Sequence, residues 1–425
     1  MATEAEVKHD YKLEKENELR FEVEAPHKVK LEMIEGSAEI FGAEIVKDKQ
    51  YAFSAGSKVA VFTWHGCTLR IIGTTEVAYV SKETPMVIYA NIHAVLEQMR
   101  QKAELKGTKG PTVLLVGPSD VGKSTLCRLL LNYAVRQGKR PIFVELDVGQ
   151  GQISIPGTIG AVLVERPSDI EEGFSQQGPL VFHFGHISPG HNIELYNTLI
   201  TRLAEVLQKR ADVNKKVAQS GIIINTCGWC SQVKQGGYKA LVHAASAFEV
   251  DVVLVMDQER LYNELERDLP RFVNVLLTPK SGGVVERSKQ LRQESREAAV
   301  KQYFYGLKTT LYPHSFDVKF ADIKVFKIGA PALPASCMPL GMQVADNRTK
   351  LVEIQNPATL LHHILAVSFA LTADEDTILS NVAGFVCVTN VDLDRGTLTV
   401  LSPQPRPLPK SILLLSEIQF VDSAH

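Results

Sequence analysis

Gly117-Pro118-Ser119-Asp120-Val121-Gly122-Lys123-Ser124-Thr125 fits G-x-x-x-x-G-K-[ST] without a gap. The run before it, Pro111-Thr112-Val113-Leu114-Leu115-Val116, is apolar and β-branched, and reads as a buried parallel strand. The run after it, Leu126-Cys127-Arg128-Leu129-Leu130-Leu131-Asn132-Tyr133-Ala134, reads as a helix. Strand, glycine-rich loop and helix is the context in which this pattern cradles phosphate. Glycines let successive backbone N–H groups curl round a β-phosphate, and the helix N-terminus adds roughly half a positive charge. Residues 117–126, from Gly117 through Pro118, Ser119, Asp120, Val121 and Gly122 to Leu126, form the expected nucleotide-binding set. Within it Lys123 should reach the β- and γ-phosphates. The Ser124 hydroxyl should ligate Mg²⁺, and Thr125 should lie near the α-phosphate.

Working outward, 425 residues suggest two to four domains, and 45% hydrophobic with 22% charged residues is ordinary for a globular chain. A formal net charge of −2 gives no global electrostatic case for nucleic acid, so any such contact must be local. Six cysteines, scattered along the chain, do not make a disulfide scaffold, which points to a reducing compartment. The polar, acidic N-terminus is no signal peptide, and no run of about 18 apolar residues suggests a membrane span.

Upstream of the loop, residues 1 to about 15 are charged and read as frayed. Short alternating runs follow at 19–24, 28–33, 38–41, 58–64 and 68–72, punctuated by Gly36, Gly42, Gly56, Gly66 and Gly73. That spacing predicts an all-β sandwich. A helix is expected over 89–104. Downstream, strands are expected at 141–146, 180–183, 221–225, 251–256 and 273–278. Helices are expected at about 122–137, 191–209, 237–247, 259–267 and 284–307. The alternation predicts a mostly parallel sheet with helices on both faces. From Tyr312 the pattern changes. A strand at 322–328, a Pro- and Gly-rich loop at 329–342, a helix at 357–370 and strands at 383–391, 397–401 and 411–415 suggest an α/β domain. The expected division is 1–100, 101–311 and 312–425.

Phosphoryl transfer needs a carboxylate beside the phosphate cradle and cations for the developing charge. The strand at 141–146 runs into Asp147-Val148-Gly149-Gln150, at a carboxyl end where ligands gather in open α/β sheets. Asp147 is the candidate Mg²⁺ ligand or general base, with Gln150 shaping the adjoining loop. A GTPase switch would read Asp-x-x-Gly-Gln, and here one residue is missing. No guanine-reading Asn-Lys-x-Asp follows a later strand, and no Leu-Ser-Gly-Gly-Gln marks a transport-type ATPase. The strand at 221–225 runs into Thr226-Cys227-Gly228-Trp229-Cys230, where Trp229 offers a stacking platform for a base. Cys227 and Cys230 form one C-x-x-C, which is half a zinc site. Lys289, Arg292 and Arg296 fall on one helical face after the last core strand, where a phosphate-closing lid would lie. His183, His186 and His191 are irregularly spaced. They read as packing and a helix-entry turn rather than zinc, and as a candidate wall of an acceptor pocket.

The whole chain resembles the eukaryotic polyribonucleotide 5′-hydroxyl kinases that are subunits of the pre-mRNA cleavage complex and of the tRNA splicing endonuclease complex. The resemblance rests on the phosphate loop, Leu146-Asp147-Val148-Gly149-Gln150-Gly151, Thr226-Cys227-Gly228-Trp229, and Arg287, Arg292 and Arg296. It implies ATP- and Mg²⁺-dependent transfer of the γ-phosphate to the 5′-OH of RNA, in the nucleus. Lys123, Asp147, Arg292 and Arg296 would then be catalytic, with Arg287 closing on ATP and Ser124 and Asp147 holding the metal. Gln150, Thr226 and Trp229 would hold the terminal nucleotide, and Glu22 and Phe62 of the β domain would meet the adenine. Subunits of cleavage factor II and of the tRNA splicing endonuclease are the implied partners. Two other readings stay open: an ATP-bound assembly subunit with little or no turnover, and a small-molecule kinase.

Overall fold

The computed structural model describes residues 7–175, 178–231, 236–307, 310–330 and 347–421. At its centre Thr112–Val116 is buried along its whole length, as a strand covered on both faces should be. It pairs in parallel with Ile222–Asn225 on one side and Val252–Met256 on the other. Seven strands form this sheet, in the order Leu180–His183, Thr158–Leu163, Ile142–Glu145, Ile222–Asn225, Thr112–Val116, Val252–Met256, Asn274–Thr278. The strand Thr158–Leu163 was not expected. It runs antiparallel to both neighbours and makes that edge of the sheet mixed. Gly160 serves a close approach: a Cβ there would lie 2.7 Å from the Leu180 carbonyl oxygen.

Helices Lys123–Arg136, Ile193–Val213, Gly237–Ala247, Glu259–Asp268 and Lys289–Tyr305 stand near their expected places. A short helix, Lys215–Ser220, is additional, started by the Asn214 side chain accepting from the Val217 N–H. Met86–Lys106 packs on the central helices Lys123–Arg136 and Lys215–Ser220. Its buried Arg100 donates Nε to the Ser220 carbonyl at 2.9 Å and pairs with Glu97.

The N-terminal sandwich forms as expected from a four-stranded and a five-stranded sheet closing on Leu19, Phe21, Val29, Leu31, Leu69 and Ile71. Its first strand, Lys8–Leu13, lies in the stretch that reads as frayed. Charges on the outer face mask the pattern. Leu13 is buried, and Arg70 makes a bidentate contact with Asp10 at 2.7 and 2.8 Å on the outside.

The C-terminal domain departs from the expected helix at 357–370. Pro357–Leu360 is only a 3₁₀ turn, and His363–Ser368 is a strand in the middle of a seven-stranded sheet, between Val382–Asp392 and Ile412–Gln419. The run is apolar on every side, so its periodicity does not separate a buried strand from a buried helix. Pairing on both edges decides the matter. Among the described residues, the elements of 312–421 are strands and 3₁₀ turns, with helical backbone only at 347–348. Most of the Pro- and Gly-rich loop, 331–342, lies outside the described residues.

Candidate active site

Backbone geometry builds the cradle first. Gly122 has φ 93° and caps the helix Lys123–Arg136, so the chain turns from loop to helix in a conformation that favours glycine. Lys123 is buried, and its Nζ donates to the carbonyls of Gly117 at 2.9 Å and Pro118 at 2.6 Å. A cavity of about 600 Å³ opens above. Ser119, Asp120, Val121, Gly122, Lys123, Ser124, Thr125 and Leu126 form its floor, with Asp147, Gln150, Trp229, Arg287, Arg292, Arg296, Glu22 and Phe62 in its walls. Gly117, Pro118 and Thr226 are not in the lining.

A chain of polar contacts links the strand ends. Asn225 Nδ2 lies 3.1 Å from Ser124 Oγ and 3.0 Å from each oxygen of Glu145. Glu145 Oε1 also accepts the Asp147 N–H at 2.7 Å, and Asp147 Oδ1 accepts the Gly149 N–H at 2.9 Å. Burial, then the charge of Asp147, pushes the Glu145 carboxyl well above its usual range against the pull of Asn225. Asp147 opens on the cavity, yet burial raises its carboxyl too. The Gly149 N–H, Lys123, Arg287 and Arg292 oppose that rise. The pair is two buried carboxylates beside a hydroxyl and a phosphate cradle. That all-oxygen donor set fits Mg²⁺, with Ser124 and Asp147 as the residues to hold it. Sequence reasoning missed Glu145 and Asn225. The one available signal was a polar residue ending each of two adjacent apolar strands.

The arginine face is anchored by a residue read only as part of the loop. Asp120, almost fully buried, accepts the Arg287 N–H at 3.1 Å, Arg287 Nε at 2.8 Å and Arg292 Nη2 at 2.6 Å. Burial alone would raise this carboxyl; the Arg287 N–H and the two guanidinium groups hold it below its usual range. Arg287 Nη1 also donates to Gln150 Oε1 at 3.3 Å. Ser288 caps the helix Lys289–Tyr305 by accepting the Leu291 N–H. Arg292 and Arg296 reach the cavity, whereas Lys289 is exposed and does not.

On the far wall the Trp229 indole lies against Gly190 and Gly237. Gly228 sits so close to the phosphate loop that a Cβ there would be 2.2 Å from Ser119 Oγ. Thr226 is placed differently from the expected clasp. It is buried, and its hydroxyl donates to the Leu115 carbonyl at 2.6 Å. Ile187, Ser188 and Pro189 complete the wall expected from the histidine-rich run. On the N-terminal side Glu22 pairs with Lys58 at 2.6 Å, and Phe62 is a core ring packed edge-on to Trp64. The side chain of Cys230 lies outside the described residues.

A phosphate cradle with its lysine, a buried carboxylate, closing arginines and a further walled space define a P-loop phosphotransferase rather than a GTP-driven switch. The chain belongs to the Clp1 family. The family model for the mRNA cleavage and polyadenylation factor CLP1 P-loop matches residues 117–306. The N-terminal beta-sandwich domain of polyadenylation factor matches 12–103, and the pre-mRNA cleavage complex II protein Clp1 matches 311–422. The polyribonucleotide 5′-hydroxyl-kinases Clp1 of Gallus gallus and Homo sapiens are each 60% identical over 412 residues, covering 97% of this chain and 96% of theirs. The CLP1 homolog of Culex quinquefasciatus is 60% identical over 415 residues, 97% of each chain. Among solved structures, a Clp1p–Pcf11p complex superposes with a TM-score of 0.83 at 25% identity over 99% of both chains. A second, with the same TM-score and identity, covers 98% of this chain and all of that one. It concerns the Pcf11p–Clp1p interface and ATP loss in a glycine-to-arginine mutant.

Proposed function

We infer that this chain is an ATP-dependent polyribonucleotide 5′-hydroxyl kinase. It transfers the γ-phosphate of ATP to the 5′-OH of RNA and works as a subunit of the pre-mRNA cleavage machinery. The observation that carries this reading is the continuous cavity in which Lys123, Asp147, Arg292 and Arg296 face the wall of Trp229 and Ile187–Pro189. A site for hydrolysis alone has no use for that second space. Mg²⁺ held by Ser124 and Asp147 supplies charge neutralisation on the phosphate oxygens when bound. Asp147 orients the 5′-OH and accepts its proton. Arg292 and Arg296 meet the charge on the transferring group. Trp229 supports the terminal base, and Gln150 fixes Arg287 over the cradle. Glu22 and Phe62 border the region assigned to the adenine.

The Clp1p–Pcf11p structures support assembly with cleavage factor subunits. Assembly with the tRNA splicing endonuclease and residence in the nucleus are part of the same proposal and rest on the resemblance. Among the described residues no helix is long and apolar enough to cross a membrane.

A second reading is a retained structural ATP with little or no turnover. A single assay separates the two. Purified chain with labelled ATP, Mg²⁺ and a 5′-OH oligoribonucleotide should yield a 5′-phosphate, and Lys123→Ala should reduce transfer by about a thousandfold. Tight ATP retention without transfer would leave the structural role. Equal transfer by both proteins would reject the site.

A further inference from the structure

The histidine-rich run has a partner that spacing cannot reveal. The C-terminal strand Ile412–Gln419 is fastened along residues 183–185. His183 Nε2 lies 3.2 Å from the Leu415 carbonyl, Ser416 Oγ lies 3.3 Å from the Gly185 carbonyl, and the Glu417 N–H donates to that carbonyl at 2.9 Å. This docking brings Glu417 against His186 and His191. His186 Nδ1 is 2.7 Å and His191 Nδ1 3.8 Å from Glu417 Oε2, and the three ligand atoms all lie within 4.8 Å of one another. The two imidazole rings meet edge to face at 5.4 Å.

We propose that His186, His191 and Glu417 form a divalent transition-metal site, of the kind that takes Zn²⁺, clasping the C-terminal domain to the loop that walls the acceptor space. Two imidazole nitrogens and one carboxylate oxygen are a donor set that suits Zn²⁺. Bond lengths of about 2.0–2.2 Å put neighbouring tetrahedral ligands roughly 3.4 Å apart. The two contacts to Glu417 Oε2, at 2.7 and 3.8 Å, straddle that separation. His186 Nδ1 is buried without a hydrogen bond of good alignment, although the carboxylate is so near. His191 and Glu417 are about half exposed, which leaves solvent to supply a fourth ligand. Lys327 also faces Glu417 and is the cation that an arriving metal would compete with. The segment between the two histidines, Ile187–Pro189, lines the cavity, so the clasp would stiffen the acceptor wall.

The test uses the full chain, stripped with chelator and titrated with Zn²⁺ alone, without nucleotide or Mg²⁺. Bound metal is measured by competition with a chromophoric chelator, and Co²⁺ serves as a spectroscopic stand-in. Four variants are compared: His191→Ala and Glu417→Gln at the site, His9→Ala on an exposed strand elsewhere, and Asp147→Asn in the phosphate site. The expected result is one tight equivalent in the parent, His9→Ala and Asp147→Asn. In His191→Ala and Glu417→Gln affinity falls at least tenfold, the Co²⁺ d–d bands vanish, and the Zn²⁺-induced rise in melting temperature is lost. Both substituted side chains are half exposed, and circular dichroism of each variant confirms the fold. Parent-like affinity in both site variants, or loss confined to Asp147→Asn, would overturn the proposal.

Discussion

Asp120→Asn tests whether the phosphate loop itself holds the lid. The carboxylate is 3% exposed and takes a guanidinium N–H from each of Arg287 and Arg292 as well as the Arg287 backbone N–H. Fully buried, such charge-assisted bonds are worth about 1.5–3 kcal/mol each. The arginines are about one-third exposed, so water takes over part of the loss, and about 1 kcal/mol each is the better figure. Asparagine keeps one acceptor and tolerates the left-handed backbone at this position, where φ is 55°. The substitution therefore removes charge without adding strain. A net loss of about 1.5–3 kcal/mol shifts the lid equilibrium by about 10- to 100-fold. Steady-state transfer to a 5′-OH oligoribonucleotide should show kcat/KM lowered by that factor. A pH series adds a check. The Asp120 carboxyl lies below its usual range, so the stability it confers is present above the ordinary carboxylate pKa and is lost as pH falls through the lower folded value. Asp120→Asn should lack that part of the acid-side loss. Activity within threefold of the parent would refute the anchoring role. Increased activity would show instead that Asp120 competes with phosphate for the arginines.

Gly228→Ala places a methyl group 2.2 Å from Ser119 Oγ and 2.4 Å from Ser119 N, so ATP affinity by titration calorimetry should fall at least about tenfold. Unchanged affinity would mean that the two loops yield at no cost. Trp229→Ala removes stacking worth about 1–3 kcal/mol, so KM for the RNA end should rise about 5- to 100-fold with ATP affinity intact. Equal effects on both would place the indole outside the acceptor side. His93 is buried with neither ring nitrogen hydrogen-bonded, and burial pushes it down to about 4. Its neutral form stabilises the fold above pH of about 6.5, and that contribution is lost as pH falls towards 4. His93→Phe should spare about 1–3 kcal/mol of that acid-side loss, read from urea midpoints at pH 7 and 5; parallel curves would refute it.

What the sequence disclosed and what it hid divide along a physical line. Thr112–Val116 and the helix Lys123–Arg136 are legible because a fully apolar strand, a glycine turn and an amphipathic helix are set by neighbours in the chain. Thr158–Leu163 and His363–Ser368 are not, because their pairing partners lie elsewhere in the sequence and their periodicity is silent. The site divides in the same way. Lys123, Ser124 and Asp147 follow from spacing, and all three reach the cavity. Asn225 and Glu145 meet only because adjacent parallel strands end level, in a pairing of Glu145 with Asn225. Thr226 shows the reverse error. A polar residue at a strand's carboxyl end looks available for a ligand, but its hydroxyl satisfies the Leu115 carbonyl of the next strand.

The cations of the site are held by internal acceptors, and this bears on how a nucleotide enters. Lys123 rests on two carbonyls, and Arg287 and Arg292 rest on Asp120. The remaining acids, Glu145 and Asp147, are pushed towards their neutral forms by burial. An incoming triphosphate must therefore draw Lys123 from the loop carbonyls and share the arginines with Asp120. Arg292 retains a buried Nε donor without a partner, so it can contact phosphate before releasing Asp120. A polyphosphate with more charge recovers more of these exchanged bonds. Each cation is held by a weaker acceptor than phosphate, which keeps the cradle ordered and still open to exchange.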